Sequence, residues 1–463
     1  MRRFLCAILA ALLLSAGAAE GAAKYVFLFI GDGMGAAQRN AAEIYLAGLR
    51  ESRGETSART AQMAMNTLPV NGFIGTGSLS GVTESDAAAT ALATGQKVKN
   101  GAVSMNPDTG ERYRSIAAIA HGMGMKVGIV TSAFLQDATP AAFYGHTTRR
   151  SDRYGLGLQL IDSGFEYFAG GGFSQANGRD GNSQNLHDLA ASKGYAVIKD
   201  LGENPQAAKV IAMHPNNNSA GYMPWVMDNP NSPTLADFVD YGIRRLDGPD
   251  GFFMMIEGGK IDLSCHANDA AATIHEILAM DEAVLRALAF MSARPESTLI
   301  VVTSDHETGG MAFDAQNINT AAFYRSIAAR QGSYARFEGR VSPQRDSNFE
   351  SNLGMARDYF GLHINDTNEV RYAFRLSMTP RDNRKSIEPN YDRLFATYDP
   401  FTMAVVKAAD AAAGIIWSTY YHTGRDVPIS AIGYGAELFA GEYENTEVFA
   451  KILSVIGAGQ ASW

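Results

Sequence analysis

Four segments of the chain are nearly unbroken apolar runs at the length of one β-strand: residues 24–30 (KYVFLFI), 126–131 (KVGIVT), 251–256 (GFFMMI) and 297–303 (STLIVVT). None shows the polar alternation of a half-exposed strand, so each predicts a strand covered on both faces, as in a parallel sheet. Helical patterning separates them. An Ala-rich stretch runs from Ala36 to Ala47, a second helix is predicted from Thr234 to Leu246, and a long one from Asn268 to Arg294. Strand and helix in alternation predict an α/β sandwich with a central, mostly parallel sheet. From Gly310 to His422 the alternation lapses into a polar stretch rich in Tyr, Asn and Arg, which reads as an inserted subdomain capping the site.

In sheets of this kind functional groups collect just beyond the carboxyl ends of the strands. Asp32 follows the first run within Gly31-Asp-Gly-Met-Gly35, Glu257 ends the third, and Ser304-Asp305-His306 closes the fourth. The segment from Glu257 to His266 (EGGKIDLSCH) adds Asp262 and His266, so one strand end carries two carboxylates and an imidazole. Such a group is costly to hold unless a cation neutralises it. With the downstream His422, these residues offer nitrogen and oxygen ligands for two or three metal ions. Hard oxygen ligands suit Mg²⁺, and Asp with His suits Zn²⁺. Metal pairs about 4 Å apart clamp the attacking and leaving oxygens of in-line phosphoryl displacement.

Two further segments admit two readings each. Thr83-Glu84-Ser85-Asp86 precedes the helical stretch Ala87 to Ala93, so Ser85 is either a helix-capping serine or a nucleophile favoured by the helix N-terminus. Arg149 and Arg150 follow Leu135-Gln-Asp137-Ala-Thr139-Pro140 and are either surface charge or a bidentate grip on phosphate.

Composition narrows the class. At 46% hydrophobic residues with 23 Phe and 19 Tyr among 463, the chain can bury a large core. Its formal charge of −9 argues against nucleic-acid binding. Arg2 and Arg3, the apolar run Phe4 to Leu14 and the small residues Ala16-Gly17-Ala18 read as a secretory signal peptide over residues 1–19. The run is short of the roughly 20 residues of a membrane span, and no later segment qualifies. Cleavage would remove Arg2 and Arg3 and take the charge from −9 to −11. It would also remove Cys6 and leave Cys265 single, a buried inert thiol with no intrachain disulfide. The expected location is secreted or periplasmic.

Six separated segments, GDGMG (31–35), TESDAAATALATG (83–95), LQDATPAAFYGHTTRR (135–150), EGGKIDLSCH (257–266), TSDHETGG (303–310) and HTG (422–424), resemble the site segments of the alkaline phosphatase family in sequence and in order. The resemblance implies a three-layer α/β/α sandwich, its core in residues 20–310 and 422–463, with a crown-like cap inserted at 311–421. It implies hydrolysis of phosphate monoesters through a phosphoserine at Ser85. It also implies one zinc held by Asp262, His266 and His422 and a second held by Asp32, Asp305 and His306. A magnesium would lie on Asp32, Thr139 and Glu257, with Asp137 in its outer sphere. The family's phosphate-binding arginine lies thirteen residues past the position matched by Asp137, which selects Arg150. Relatives commonly form homodimers, though no residue pattern here specifies one.

Two departures stand out. Glu84-Ser85-Asp86 replaces the usual Asp-Ser-Ala, so Asp86 is expected to point away or be neutralised, and Leu263 replaces a polar or aromatic residue. A sulfatase or phosphodiesterase shares the general architecture, but a sulfatase would need Pro and Arg soon after the nucleophile, where this chain has Asp86-Ala-Ala-Ala89. A metal-loaded scaffold that binds phosphate without turnover is the third reading.

Overall fold

The computed structural model describes residues 21–55, 62–314, 319–341, 344–346, 348–361 and 364–459; the signal peptide expected at 1–19 lies outside them. In chain order the strands are β1 (Tyr25–Ile30), β2 (Val70–Gly75), β3 (Lys126–Thr131), β4 (Tyr167–Gly170), β5 (Tyr195–Ile198), β6 (Lys209–Met213), β7 (Phe252–Glu257), β8 (Thr298–Thr303), β9 (Glu307–Thr308), β10 (Met311–Phe313), β11 (Ile415–Trp417), β12 (His422–Thr423), β13 (Val427–Gly433) and β14 (Gly441–Glu444). Ten of them form one sheet ordered β14-β2-β13-β8-β1-β7-β3-β4-β6-β5. Only β13 runs against its neighbours.

The apolar runs explain the layers. Successive side chains of a strand point to opposite faces. Val26, Leu28 and Ile30 therefore enter one core, with Leu92, Ile116, Leu160 and Leu453. Phe27 and Phe29 enter the other, with Ala41, Phe238 and Ile274. Full burial of such a phenylalanine contributes about 2 kcal/mol. Helices α1 (Ala36–Ser52), α2 (Ser85–Thr94), α3 (Leu235–Leu246), α4 (Gly259–His266) and α5 (Ala270–Met291) pack against the sheet, α2 into the first core and the other four into the second. The sheet covered by helices on both faces is the three-layer α/β/α sandwich expected from the sequence.

Between β10 and β11 the stretch that is polar in sequence is helical, with helices at Thr320–Ala328, Tyr334–Val341, Phe349–Phe360, Asn368–Ser377 and Pro400–Ala412 among others. Phe337, Leu353, Phe360, Phe374 and Phe401 build a third core of their own. The helices Tyr334–Val341, Phe349–Phe360 and Asn368–Ser377 turn one apolar stripe inward and a polar face outward, so the segment reads as polar overall. A buried ionic knot ties it to the sandwich. Arg330 donates to Asp410 at 2.5 Å and to Asp269 at 3.4 Å. Asp269 in turn caps α5 by accepting from Ala271 and Ala272 N–H.

Candidate active site

β8, β1, β7 and β3 lie side by side, with Ile30 opposite both Thr303 and Glu257, and Thr131 opposite Glu257. Their carboxyl ends therefore open on one rim. The turn after β1 depends on Gly33, whose φ of +74° favours glycine. Its N–H donates to Asp305 Oδ1 at 3.2 Å, and Met34 N–H donates to Ser304 Oγ at 3.0 Å, which fixes the first strand end to the fourth.

Four atoms converge at the centre of the rim. Nε2 of His306 lies 3.2 Å from Ser85 Oγ, 3.3 Å from Asp305 Oδ2 and 3.5 Å from Asp32 Oδ1. Asp32 Oδ1 and Asp305 Oδ2 are buried without a hydrogen-bond partner. Burial, then Asp262, pushes Asp305 up to about 7, and burial, then Asp305, raises Asp32 well above the carboxylate range. Burial and the neighbouring His422 lower His306. Two unpartnered carboxylate oxygens facing an uncharged imidazole nitrogen are the donor set of a cation site.

The second group lies beside the first. Asp262 Oδ2 is 3.2 Å from His266 Nε2, Asp262 Oδ1 is 3.7 Å from His422 Nε2, and the two Nε2 atoms are 3.1 Å apart. His266 Nδ1 donates to the Tyr420 carbonyl at 2.5 Å and His422 Nδ1 to the Thr83 carbonyl at 2.8 Å. With each Nδ1 so placed, both Nε2 atoms face the same point, where a metal-ligating histidine would present its lone pair. Burial opposes charge on His266, yet Asp262 raises it to about 9; burial likewise works against Asp262, which its histidines hold well below the usual range.

Behind these, the Glu257 carboxylate accepts from Thr131 Oγ1 and contacts Asp32. Burial, reinforced by Asp137, pushes Glu257 up to about 8. Thr139 Oγ1 is a third buried, unpartnered oxygen. Of the residues expected from the sequence, the structure gathers Asp32, Asp305 and His306 in one group and Asp262, His266 and His422 in the next, with Glu257 and Asp137 close enough to act on Asp32. Cys265 is buried and free, its Sγ 3.7 Å from Thr273 Oγ1, and its thiol is raised by burial.

Ser85 is the first residue of α2, and Glu84 takes the cap position. The hydroxyl is therefore turned to His306 rather than spent on capping. Arg149 is exposed, whereas Arg150 lies among three carboxylates. Its Nη1 is 3.3 Å from Asp86 Oδ2 and 3.7 Å from Glu84 Oε2, and its Nη2 is 3.4 Å from Asp137 Oδ1. Asp86, fully buried, accepts from Gly101 N–H at 2.8 Å and shares the Arg150 charge with Glu84 and Asp137. Leu263 follows Asp262 in α4 and is half-buried.

Sequence reasoning passed over the residues that orient these groups. Thr308 donates to Asp262 Oδ1 at 2.6 Å and lies 3.2 Å from His306 Nδ1, bridging the two clusters. Glu307 accepts from Gln38 at 2.5 Å and from Thr423, tying α1 and β12 to β9. Their signal was position: both lie inside TSDHETGG, directly after His306.

The chain is similar to known proteins along most of its length. The family model described as Alkaline phosphatase matches residues 23–158 and 173–457. Alkaline phosphatase 3 of Bacillus subtilis is 27% identical over 386 residues, 81% of this chain and 77% of that protein. Alkaline phosphatase of Escherichia coli K12 is 31% identical over 341 residues, 61% of this chain and 70% of that protein. Among solved structures, the alkaline phosphatase of Thermus thermophilus superposes with a TM-score of 0.80 at 25% identity, covering 95% of this chain and 92% of the other. The cold-active enzyme of Shewanella sp. gives 0.76 at 26%, covering 93% and 99%.

Proposed function

The chain belongs to the alkaline phosphatase family and is a phosphatase, and from that premise we propose that it hydrolyses phosphate monoesters to alcohol and inorganic phosphate through a phosphoserine at Ser85. The observation that carries the reading is Ser85 Oγ at the head of α2, 3.2 Å from His306 Nε2 where the two ligand clusters meet.

The family is metal-dependent, and the donor set fits metal ions: paired Nε2 lone pairs, orphaned carboxylate oxygens and an unpartnered threonine hydroxyl. Asp262, His266 and His422 would hold one zinc and Asp32, Asp305 and His306 another. Asp32, Thr139 and Glu257 would hold magnesium, with Asp137 one layer out. When bound, these ions supply positive charge for the phosphate oxygens and acidify hydroxyl groups beside them. Arg150 binds two non-reacting oxygens through its fork of N–H donors. The N-terminal end of α2 places its dipole against the same anion. Ser85 Oγ gives up its proton to solvent and attacks phosphorus, its bond to phosphorus forms as the ester P–O bond breaks, and the departing alkoxide takes a proton from water. Water then attacks the phosphoserine, the P–Oγ bond breaks, and Ser85 regains its proton.

Because hydroxyl and water must lose protons to attack, activity rises toward alkaline pH. The leader read at residues 1–19 supports export to the periplasm or medium, and among the described residues no helix is long and apolar enough to cross a membrane. The test is turnover of a chromogenic aryl phosphate, and of its diester and sulfate counterparts, by chelator-stripped protein reloaded with zinc and magnesium. Monoester turnover that needs both metals and is lost in Ser85→Ala supports the reading. Preference for diester or sulfate, or full activity of Ser85→Ala, overturns it.

A further inference from the structure

The inserted helical segment contains a cavity of about 380 Å³ whose walls include Arg345, Arg381, Arg384, Glu338, Tyr398 and Asp399. Its guanidinium groups are fixed in place. Arg345, with 8% of its side chain exposed, donates from both Nη atoms to the two oxygens of Asp399 at 2.9 Å. Asp399 is itself anchored, because it caps the helix Pro400–Ala412 by accepting from Thr402 N–H at 3.0 Å. Arg384 donates to the carbonyls of Thr379 and Ser377 at 3.0 and 2.8 Å and stands 3.8 Å from Asp399. Arg381 donates to the Thr397 carbonyl at 2.8 Å.

Those partners leave the charge unbalanced. A carbonyl satisfies an N–H but does not cancel a cation. Three guanidinium groups face two carboxylates, Asp399 and Glu338, so the walls carry an excess positive charge even with both ionised. Burial, then Asp399, raises Glu338, which reduces its share of the compensation. Holding like charges at fixed positions around a half-enclosed polar space is unfavourable unless an anion enters. The candidate active site uses none of these residues. Tyr398 lines the cavity, and its ring lies against Tyr420, whose carbonyl accepts from His266.

The geometry points to a second anion site in this cavity, one that takes a phosphate group, free or carried on a small organic molecule. Each guanidinium carries five N–H donors and its protein partners take at most three of them, so donors remain for phosphate oxygens, and the space exceeds what orthophosphate alone fills.

Equilibrium dialysis of radiolabelled orthophosphate against the zinc- and magnesium-loaded full chain tests this, with a non-hydrolysable alkyl phosphonate as a second arm. The expected result is two orthophosphate sites per chain. Arg381→Ala/Arg384→Ala removes one and leaves aryl-phosphate turnover intact, while Arg150→Ala spares that one. Arg381→Ala alone, which breaks a single bond to a carbonyl, keeps the fold testable and weakens the cavity site about tenfold. The phosphonate binding there more tightly than orthophosphate assigns the site to organic phosphates, and the reverse order to free phosphate. A single site abolished by Arg150→Ala, or binding unchanged in both cavity variants, overturns the inference. If instead Arg150→Ala abolishes neither site, the active-site reading fails and the cavity stands.

Discussion

Removing the Asp86 carboxylate should tighten phosphate binding. Asp86 Oδ2 lies 3.3 Å from Arg150 Nη1 and is fully buried. At that distance two unit charges interact by about 5 kcal/mol at an effective dielectric near 20. Arg150 is 35% exposed and shared with Glu84 and Asp137, so solvent and competing carboxylates reduce the energy released on losing one of them to about 1.4 kcal/mol. That corresponds to tenfold in binding. In Asp86→Ala the guanidinium is freed for the phosphate dianion and a repelling neighbour is gone. KM for an aryl phosphate and the inhibition constant of inorganic phosphate should therefore both fall about tenfold. Turnover number should hold or decline, because product leaves more slowly. Asp86→Asn keeps the acceptor for Gly101 N–H and removes only charge, so it should show most of the same shift with less loss of stability. Steady-state kinetics with phosphate as product inhibitor, beside a thermal melt, measure both. An inhibition constant that stays within twofold of the parent, or rises, refutes the reasoning and would make Asp86 an aid to Arg150 rather than its competitor.

Chelator-treated protein should lose stability as pH rises from about 6.5 to 8. Glu257 near 8, Asp305 near 7 and His266 near 9 all keep protons that the unfolded chain has released; a chelator-treated melting temperature that is flat or rising over that window contradicts this, and zinc with magnesium should abolish the fall. Gly33→Ala places a methyl 2.9 Å from both Asp262 Oδ1 and Thr308 Oγ1 at a φ of +74°, so bound zinc measured by atomic absorption should drop at least tenfold; full zinc content would show that the turn tolerates a side chain. Arg330→Ala leaves Asp269 and Asp410 buried without their cation and should cost about 3–5 kcal/mol in denaturant unfolding; a loss under 1 kcal/mol would mean that water replaces the guanidinium.

The centre of the sheet was legible because β1, β3, β7 and β8 are buried on both faces, and nothing but an unbroken apolar run can fill that position. The edges were not. β2 alternates exposed and half-buried residues, and its place between β14 and β13 depends on pairings from the far end of the chain. The same distinction holds in the site. Asp32, Glu257 and Asp305 sit at strand ends, where a polar residue after an apolar run is conspicuous. The contact of Asp86 with Arg150 joins residues far apart in sequence, and Asp86 alone looks like an ordinary acid at a helix start. The inserted helices hid for another reason: Phe337 stands between charged residues and Phe374 beside one, and their common core with Phe360 and Phe401 exists only once the helices meet.

β10 and β11 pair antiparallel, with Met311 opposite Trp417 and Phe313 opposite Ile415. The chain thus departs for the insertion and returns from it at points one strand spacing apart, about 5 Å. Any segment whose two ends meet that spacing can be plugged in there without moving His422, which comes shortly after the return and is pinned by β12 on β9. The stem works as a socket. Lengthening what it holds adds only a logarithmic closure cost, so the inserted helices are free to be exchanged as a module while the groups at the strand ends keep their positions.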